Sequence, residues 1–206
     1  MCCVAPLARA FPSFRPRLGR TLSEAAGSPV LDVQGGAIFM TSGNLRIADG
    51  CMIKNSSSAR NGGAMHITSG NVIISGGSTV LDSTAENSGG AFYISSGVVL
   101  LSDGVMLANS RSAWVGGAIF AIDSTVSISY ACVIVASNAA VGGALNLLNT
   151  IFLMANGSTI ANSTAVTRGG AVALLGGSFV MTGGSALSYS TSANDGGAIS
   201  IGGTNS

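Results

Sequence analysis

The tripeptide Gly-Gly-Ala recurs along this chain at an almost constant interval. It occurs seven times in 206 residues, and the copies begin at Gly35, Gly62, Gly89, Gly116, Gly142, Gly169 and Gly196. The interval is 27 residues throughout, except between Gly116 and Gly142, where it is 26. A fixed period of about 20–50 residues is typical of repeat proteins, in which each unit buries its apolar face against the next. We therefore expect a stack of similar coils, one for each repeat.

Apolar residues occupy every second position in parts of each repeat. With the first glycine as position 1, positions 4, 6, 11, 13 and 19 are apolar, as in Phe92, Ile94, Val99, Leu101 and Leu107. A spacing of two is the strand period, and no set follows the helical spacing of about 3.6. The pattern predicts an all-β fold, a right-handed parallel β-helix with three strands per coil. Leucine-rich repeats and propeller blades differ in unit length or in the number of strands.

A polar column accompanies the apolar ones at position 21. Its members are Asn55, Asp82, Asn109 and Asn162, with Val135 and Tyr189 as exceptions. The column lies two residues beyond the inward position 19, so we expect it to face inward at a corner and to bond buried backbone groups. We interpret it as structural.

The repeat that begins at Gly116 is one residue shorter than the others. The alignment places the missing residue at the turn of Ser129 and Tyr130, which assigns Val133 to position 19.

Position 5 carries rings in the first four repeats. These residues are Phe39, His66, Tyr93 and Phe120, and they lie between two inward positions, so we expect them to point outward. Rings on neighbouring strands stabilise a sheet by about 0.2–1 kcal/mol for each pair. Exposed rings in a row could also form an interaction stripe for a glycan, a partner chain or a second copy of the protein. Outward position 12 is also apolar at Ile73, Leu100, Leu153 and Val180.

The repeats resemble those of the polymorphic outer membrane proteins of chlamydiae, members of the pectin-lyase-like superfamily. The likeness lies in Gly-Gly-Ala with a following apolar residue, and in segments such as Met52-Ile53-Lys54-Asn55-Ser56. It covers roughly residues 28–206, although an apolar residue replaces the Phe of the family's Phe-x-x-Asn motif. The resemblance implies a right-handed β-helix that serves as a non-catalytic structural or adhesive module. It also implies an extracellular or cell-surface location, at the outer membrane if the source is bacterial.

The same superfamily contains polysaccharide lyases and hydrolases, so a degenerate carbohydrate-binding or carbohydrate-cleaving protein is the alternative. A lyase of this fold needs carboxylates to hold calcium, and an inverting hydrolase needs two carboxylates about 6.5–9.5 Å apart. Asp49 and Asp103 lie two repeats apart, and the closest pair is Asp82 with Glu86. We therefore predict no catalytic residues. His66, the only histidine, lacks the cysteine companions of a zinc site, so no metal or cofactor is expected.

Composition excludes other classes of partner. Only 8% of the residues are charged and the net charge is +1, so nothing indicates binding to nucleic acid. No apolar stretch reaches the roughly 18 residues of a membrane-spanning helix. Cys51 and Cys132 are three repeats apart, about 14 Å at a strand spacing of about 4.8 Å. A disulfide needs Cα atoms within about 7 Å, so we expect that these two cysteines are not paired with each other.

The first 27 residues do not follow the repeat. They contain Arg9, Arg15, Arg17 and Arg20 and three of the four prolines. All four arginines precede the first acidic residue, Glu24, and an arginine-rich start with few acidic residues is typical of targeting segments. We predict a disordered or targeting leader at residues 1–27, although no particular signal is evident. The β-helix domain is expected at residues 28–206, truncated within its seventh coil.

Overall fold

The computed structural model describes residues 34–202, and all regular secondary structure in this range is β-strand. The chain forms a parallel β-solenoid in which each repeat is one coil, as the sequence predicts. The predicted leader at residues 1–27 lies outside the described residues.

The strands follow one another along the chain, coil by coil. The first two coils contain β1 (Ile38–Met40), β2 (Asn44–Ile47), β3 (Met52–Lys54), β4 (Ser57–Ser58), β5 (Met65–Ile67), β6 (Gly70–Ile74), β7 (Thr79–Leu81) and β8 (Thr84–Ala85). The next two contain β9 (Phe92–Ser95), β10 (Gly97–Leu101), β11 (Met106–Ala108), β12 (Arg111–Ser112), β13 (Ile119–Ile122), β14 (Thr125–Ile128), β15 (Val133–Val135) and β16 (Asn138–Val141). The last contain β17 (Leu145–Met154), β18 (Thr159–Ala161), β19 (Thr164–Arg168), β20 (Val172–Met181), β21 (Ala186–Ser188), β22 (Thr191–Ser192) and β23 (Ile199–Gly202).

Three parallel sheets run along the solenoid. The first has 11 strands and combines two rows, the position 4–6 strands and the position 11–13 strands. The rows join because β17 and β20 continue without a break where earlier coils have two separate strands. The second and third sheets have six strands each. Every strand therefore pairs with its equivalent in the next coil, which places the same repeat position in one straight column.

The core lies inside the coils and consists of the predicted apolar columns. Phe92, Ile94, Val99 and Leu107 are fully buried, and so are their counterparts in the middle coils. Removing a large apolar side chain from water is worth about 1.5–3 kcal/mol, so these columns supply most of the stabilising energy. The prediction of the inward columns is confirmed there. In the last described coil Ile201 is exposed, because no described coil covers it.

Close contact between coils explains the Gly-Gly pair. The first glycine has a left-handed backbone, with φ of +64° at Gly89. A Cβ on the second glycine, such as Gly90, would collide with the carbonyl oxygens of Gly117 in the next coil and of Arg111 in the third sheet. A side chain is therefore excluded at both positions, since L-residues rarely adopt this φ and backbone atoms cannot move aside.

The missing residue of the short repeat is not at the turn where the sequence analysis placed it. Val133 pairs with Met106, 27 residues earlier, so the turn at Ser129 and Tyr130 is complete. Ile134 consequently occupies the inward position 19 and is 1% exposed. The assignment of Val133 to this column is wrong by one residue.

The deletion lies in the third sheet instead. Within β16 the pairing shifts register between Ala139 and Val141, and only Ala140 lies between these two paired residues. The preceding coil has two residues there, Ala113 and Trp114. Both lie on the surface, and an irregular strand end can lose such a residue without reversing the faces of its neighbours.

The polar column at position 21 lies on the surface, so its predicted inward orientation is also wrong. Asn55, Asp82, Asn109 and Asn162 are exposed and have φ between 52° and 55°. Asn and Asp tolerate this left-handed conformation better than most residues. The turn reverses the alternation, so position 22 points inward instead, as at Ser83 (0% exposed). The column is structural as predicted, but as a row of turn residues, in which the Asn109 amide donates to the Asp82 carboxylate at 3.0 Å.

Candidate functional site

A groove follows the outer face of the first strand of each coil. Position 5 forms its floor. One wall is the residue before each Gly-Gly-Ala, and parallel bridges link these residues in the series Asn61, Ser88, Val115 and Val141. The other wall is position 7, where Ile122, Leu148 and Leu175 pair in register. The three sets of positions come together because the chain turns sharply at the left-handed glycine of position 1.

The four rings predicted at position 5 form a continuous stack on the groove floor. Phe39 and His66 have ring centroids 5.2 Å apart, His66 and Tyr93 4.6 Å, and Tyr93 and Phe120 5.1 Å. The last two pairs are nearly parallel, at 14° and 22°. These spacings match the rise of one coil, about 4.8 Å. The predicted stacking is confirmed, and it fills the groove in the first four coils.

The rings are more covered than a surface stripe would be. His66 is 6% exposed and Phe120 8%, whereas Phe39 is 38% exposed. The sequence predicted that these rings point outward and are accessible. They do lie on the outer face, but the groove walls cover most of them. The use of Phe39, His66, Tyr93 and Phe120 as an interaction stripe stays a prediction, and its accessible part is centred on Phe39.

Burial alters the titration of the polar rings. Desolvation lowers the pKa of His66, and a hydrogen bond to the backbone of Asn61 only partly opposes this. The Nδ1 atom of His66 is buried and has no hydrogen-bond partner. Desolvation likewise raises the pKa of Tyr93. The stack therefore favours neutral forms of both side chains, which suits packing between rings rather than proton transfer to a substrate.

The groove floor changes in the last coils. It consists there of Asn146, Ala173 and Ser200, which are much smaller than the rings, and a recess of about 40 Å³ remains. Leu148 and Leu175 line one side of this recess, and Val141 and Arg168 the other. Asn146 and Ala173 are buried, so neighbouring side chains cover most of this floor. The repeat pattern did not predict the recess. The available signal was the change from rings to small residues at position 5 between the fourth and fifth repeats.

A second surface feature lies on the other row of the first sheet. Leu100, Leu153 and Val180 of position 12 are 38–44% exposed, and Ile151 beside them is 56% exposed. They belong to the strands β10, β17 and β20, so the side chains lie on one face. Leu153 and Val180 pair in register, and Ser127 of β14 separates Leu153 from Leu100. Position 12 therefore faces outward as predicted and forms an apolar strip that Ser127 interrupts.

Side chains that could support chemistry are dispersed. Among residues 34–202 no group of three or more His, Cys, Asp or Glu side chains is close enough to hold a metal ion. Cys51 and Cys132 are buried, and no disulfide joins them to each other, as predicted. Burial raises the pKa of Cys132, whose thiol donates to the carbonyl of Ser129 at 2.9 Å. Such a thiol is protonated and poorly nucleophilic at neutral pH.

Comparisons with protein families, with curated proteins and with solved structures found no match to this chain. The likeness to polymorphic outer membrane protein repeats thus depends on the repeat motif and on the solenoid architecture. No helix long and apolar enough to cross a membrane is found within the described range, 34–202.

Proposed function

We propose that this chain is a non-catalytic structural or adhesive module that acts at a cell surface or in the extracellular space. The observation that carries the proposal is the apolar strip of Leu100, Ile151, Leu153 and Val180 on the first sheet. Exposed apolar side chains grouped on one face of a protein often mark surfaces that bind another molecule. The resemblance to polymorphic outer membrane protein repeats supports the same role and location, including the outer membrane if the source is bacterial.

The distribution of charge supports a binding role for this part of the surface. No charged residue occurs between Asp123 and Arg168, a segment that includes β14, β15, β16, β17 and β18. An exposed apolar surface without charged side chains is suited to association with another molecule. The expected partners are a surface ligand, a glycan or a second copy of the chain.

Bead attachment tests the proposal. Beads coated with the full chain are mixed with beads that carry the same chain and, separately, with beads that carry polygalacturonate. We expect attachment to at least one of the two. The triple variant Leu100→Lys, Leu153→Lys and Val180→Lys should reduce it at least tenfold, because lysine at these positions places three charges on the strip.

The matched control puts the same three charges on a different face. Ser57, Thr84 and Thr191 are exposed on the third sheet, and their replacement by lysine should leave attachment unchanged. Equal loss in both triple variants, or attachment to neither kind of bead, would reject the strip as a binding surface. Release of unsaturated or reducing sugar from polygalacturonate, abolished by one Asp substitution, would establish the carbohydrate-cleaving alternative instead.

A further inference from the structure

Two columns of side chains form the outer face of the strands that carry the apolar strip. In the second to sixth coils, position 10 reads Asn71, Val98, Thr125, Ile151 and Ser178, and position 12 reads Ile73, Leu100, Ser127, Leu153 and Val180. Each residue pairs in register with its equivalent in the next coil, so both columns are continuous. All ten side chains are at least partly exposed, and none is charged.

The position 12 column reads almost the same in both directions from the fourth coil. Ser127 has a leucine on each side, Leu100 in the third coil and Leu153 in the fifth. Beyond the leucines lie two β-branched residues, Ile73 and Val180. The interruption of the apolar strip by Ser127 is therefore at its centre of symmetry.

The position 10 column has the same symmetry about the same coil. Thr125 lies between the β-branched residues Val98 and Ile151. Beyond these are two small polar residues, Asn71 and Ser178. Both columns thus repeat their order of polar and apolar residues on the two sides of β14.

This symmetry is the property that a dimer of identical chains requires. A two-fold dimer brings the same patch of both copies together, so the patch must be complementary to itself. If two copies face each other across an axis along β14, the third coil of one lies opposite the fifth coil of the other. Leu100 then faces Leu153 of the second copy, and Val98 faces Ile151. Throughout both columns, apolar residues meet apolar residues and polar residues meet polar ones.

Charge disfavours an axis along the solenoid, which would place every coil opposite itself. Arg46 extends the position 12 column into the first coil and is exposed, so that axis would bring two arginines together. Like charges directly opposite each other are destabilising. The axis along β14 leaves both arginines outside the five paired coils. The nearest charged residue along the chain from β14 is Asp123, which precedes the strand in a turn with left-handed backbone and so lies at the edge of the face.

The size of the face indicates a weak and reversible contact. Five strands about 4.8 Å apart, each with about five residues at about 3.3 Å, cover about 400 Å² of each copy. The total of about 800 Å² is below the roughly 1,200–2,000 Å² of stable complexes. We therefore expect a dissociation constant on the order of 100 μM.

We propose that the partner of the apolar strip is a second copy of this chain, bound face to face with antiparallel solenoids and a two-fold axis along β14. The proposal rests on the proposed role of the strip as a binding surface, and it names the partner. It also assigns a role to Thr125 and Ser127, which lie on the axis and separate two apolar pairs in each column.

Sedimentation velocity of charge variants tests the pairing. The full chain is used with a reducing agent, which prevents disulfides through Cys2 and Cys3. Leu100→Lys and Leu153→Glu should each weaken self-association about tenfold or more, because both contacts of such a dimer place a charge against leucine. An equimolar mixture of the two should restore the dimer to within about threefold of the unmodified chain. In the mixed dimer the new lysine faces the new glutamate, and the other Leu100 and Leu153 remain paired.

The matched control combines the same two charges at a single position. In a mixture of Leu100→Lys with Leu100→Glu, the axis along β14 places each charge opposite Leu153, so this mixture should associate as weakly as its components. Recovery in this mixture would show that each coil faces itself, and it would overturn the proposed arrangement. Ser57→Lys, on the exposed face of the third sheet, should associate like the unmodified chain.

Two further results would reject the second copy as partner. One is the absence of a dimer at ten times the expected dissociation constant. The other is a lack of recovery when Leu100→Lys and Leu153→Glu are mixed, with both variants folded by circular dichroism. Neither result rejects the strip as a binding surface if polygalacturonate beads still attach and the triple lysine variant abolishes that attachment. Without such attachment, both proposals fail.

Discussion

The first four coils and the last three have the same backbone arrangement but carry different side chains in the outer groove. In the first four, a ring stack from Phe39 to Phe120 fills the outer groove. In the last three, small residues replace the rings, and a recess of about 40 Å³ remains beside Arg168. Buried columns and glycine pairs are common to both parts, so the scaffold does not depend on what occupies the groove. The difference shows that the fold is set by inward and turn positions, while outward positions are free to acquire separate roles.

The largest expected effect concerns the second glycine of the Gly-Gly pair. Gly90 is packed between coils, whereas the equivalent Gly197 lies at the end of the described coils. Gly90→Ala should destabilise the protein by about 5 kcal/mol or more, because the new methyl group meets backbone oxygens that cannot move. Gly197→Ala should change stability by less than about 0.5 kcal/mol, since the nearest atom to its Cβ is Ser190 O at 4.0 Å. Urea unfolding followed by circular dichroism measures both. Similar losses would mean that packing between coils does not explain the glycine pair.

The next contrast concerns two stacked phenylalanines of one inward column. Phe152 is fully buried and Phe179, one coil later, is only partly buried, with parallel rings 5.2 Å apart. Phe152→Ala should cost about 3–5 kcal/mol in unfolding free energy, and Phe179→Ala about half as much or less. The same unfolding experiment compares them. An equal cost would show that the last coils are packed as tightly as the middle ones.

Acid should destabilise the ring-filled part of the solenoid. Burial lowers the pKa of His66 below its ordinary 6.5, so the unfolded chain binds a proton that the folded chain resists. Stability is therefore complete above about pH 6.5 and falls as the pH decreases from there toward the folded pKa. The loss is at most about 1.4 kcal/mol per pH unit, the limit for a single proton.

Unfolding at pH 7.5, 6.5 and 5.5 measures this slope. His66→Phe keeps a ring in the stack and removes the only histidine, so its slope over the same interval should be close to zero. A slope as steep as that of the unmodified chain would assign the acid sensitivity to other groups.

The smallest effect is expected from lengthening the ring stack by one coil. Asn146 pairs with Phe120 in register, so Asn146→Phe should place a fifth ring on the groove floor and add about 0.2–1 kcal/mol of stability. Asn138→Phe puts the same ring on an exposed position of the third sheet, where its neighbours in register are Arg111 and Thr164. This control should stabilise less. An equal gain would mean that general apolar contact, and not stacking, holds the rings.

Much of the fold could be predicted from local patterns, and the errors have local causes. Alternation identified Phe92, Ile94 and Leu107 as core residues, because strand side chains point to opposite faces in turn. It failed at Asn109, where a left-handed backbone reverses the faces within one residue. It also failed at Val133, since a deletion between Ala139 and Val141 leaves the same total spacing as one at an earlier turn.

The candidate site was predicted in part. Four rings at one repeat position were enough to predict a stack, since parallel strands in register place equivalent side chains next to one another. Their burial could not be predicted, because it depends on walls contributed by positions 7 and 27 of the repeat. The recess at Ala173 was missed for the same reason: an empty space is defined by the residues around it.

The sequence by itself determined the period of the coils and the inward columns. Both follow from the spacing of glycine and apolar residues, which is the same in every repeat. Only the tertiary structure decided which side chains of the outer groove are covered and where a recess remains. That outcome depends on the left-handed turn at each Gly-Gly pair, which brings the last position of one repeat beside positions 5 and 7 of the next, and on the coils stacked on either side. Arg168 and Ala173 are five residues apart in sequence, the turn that begins at Gly169 places both at one recess, and Ser200 of the next coil completes it.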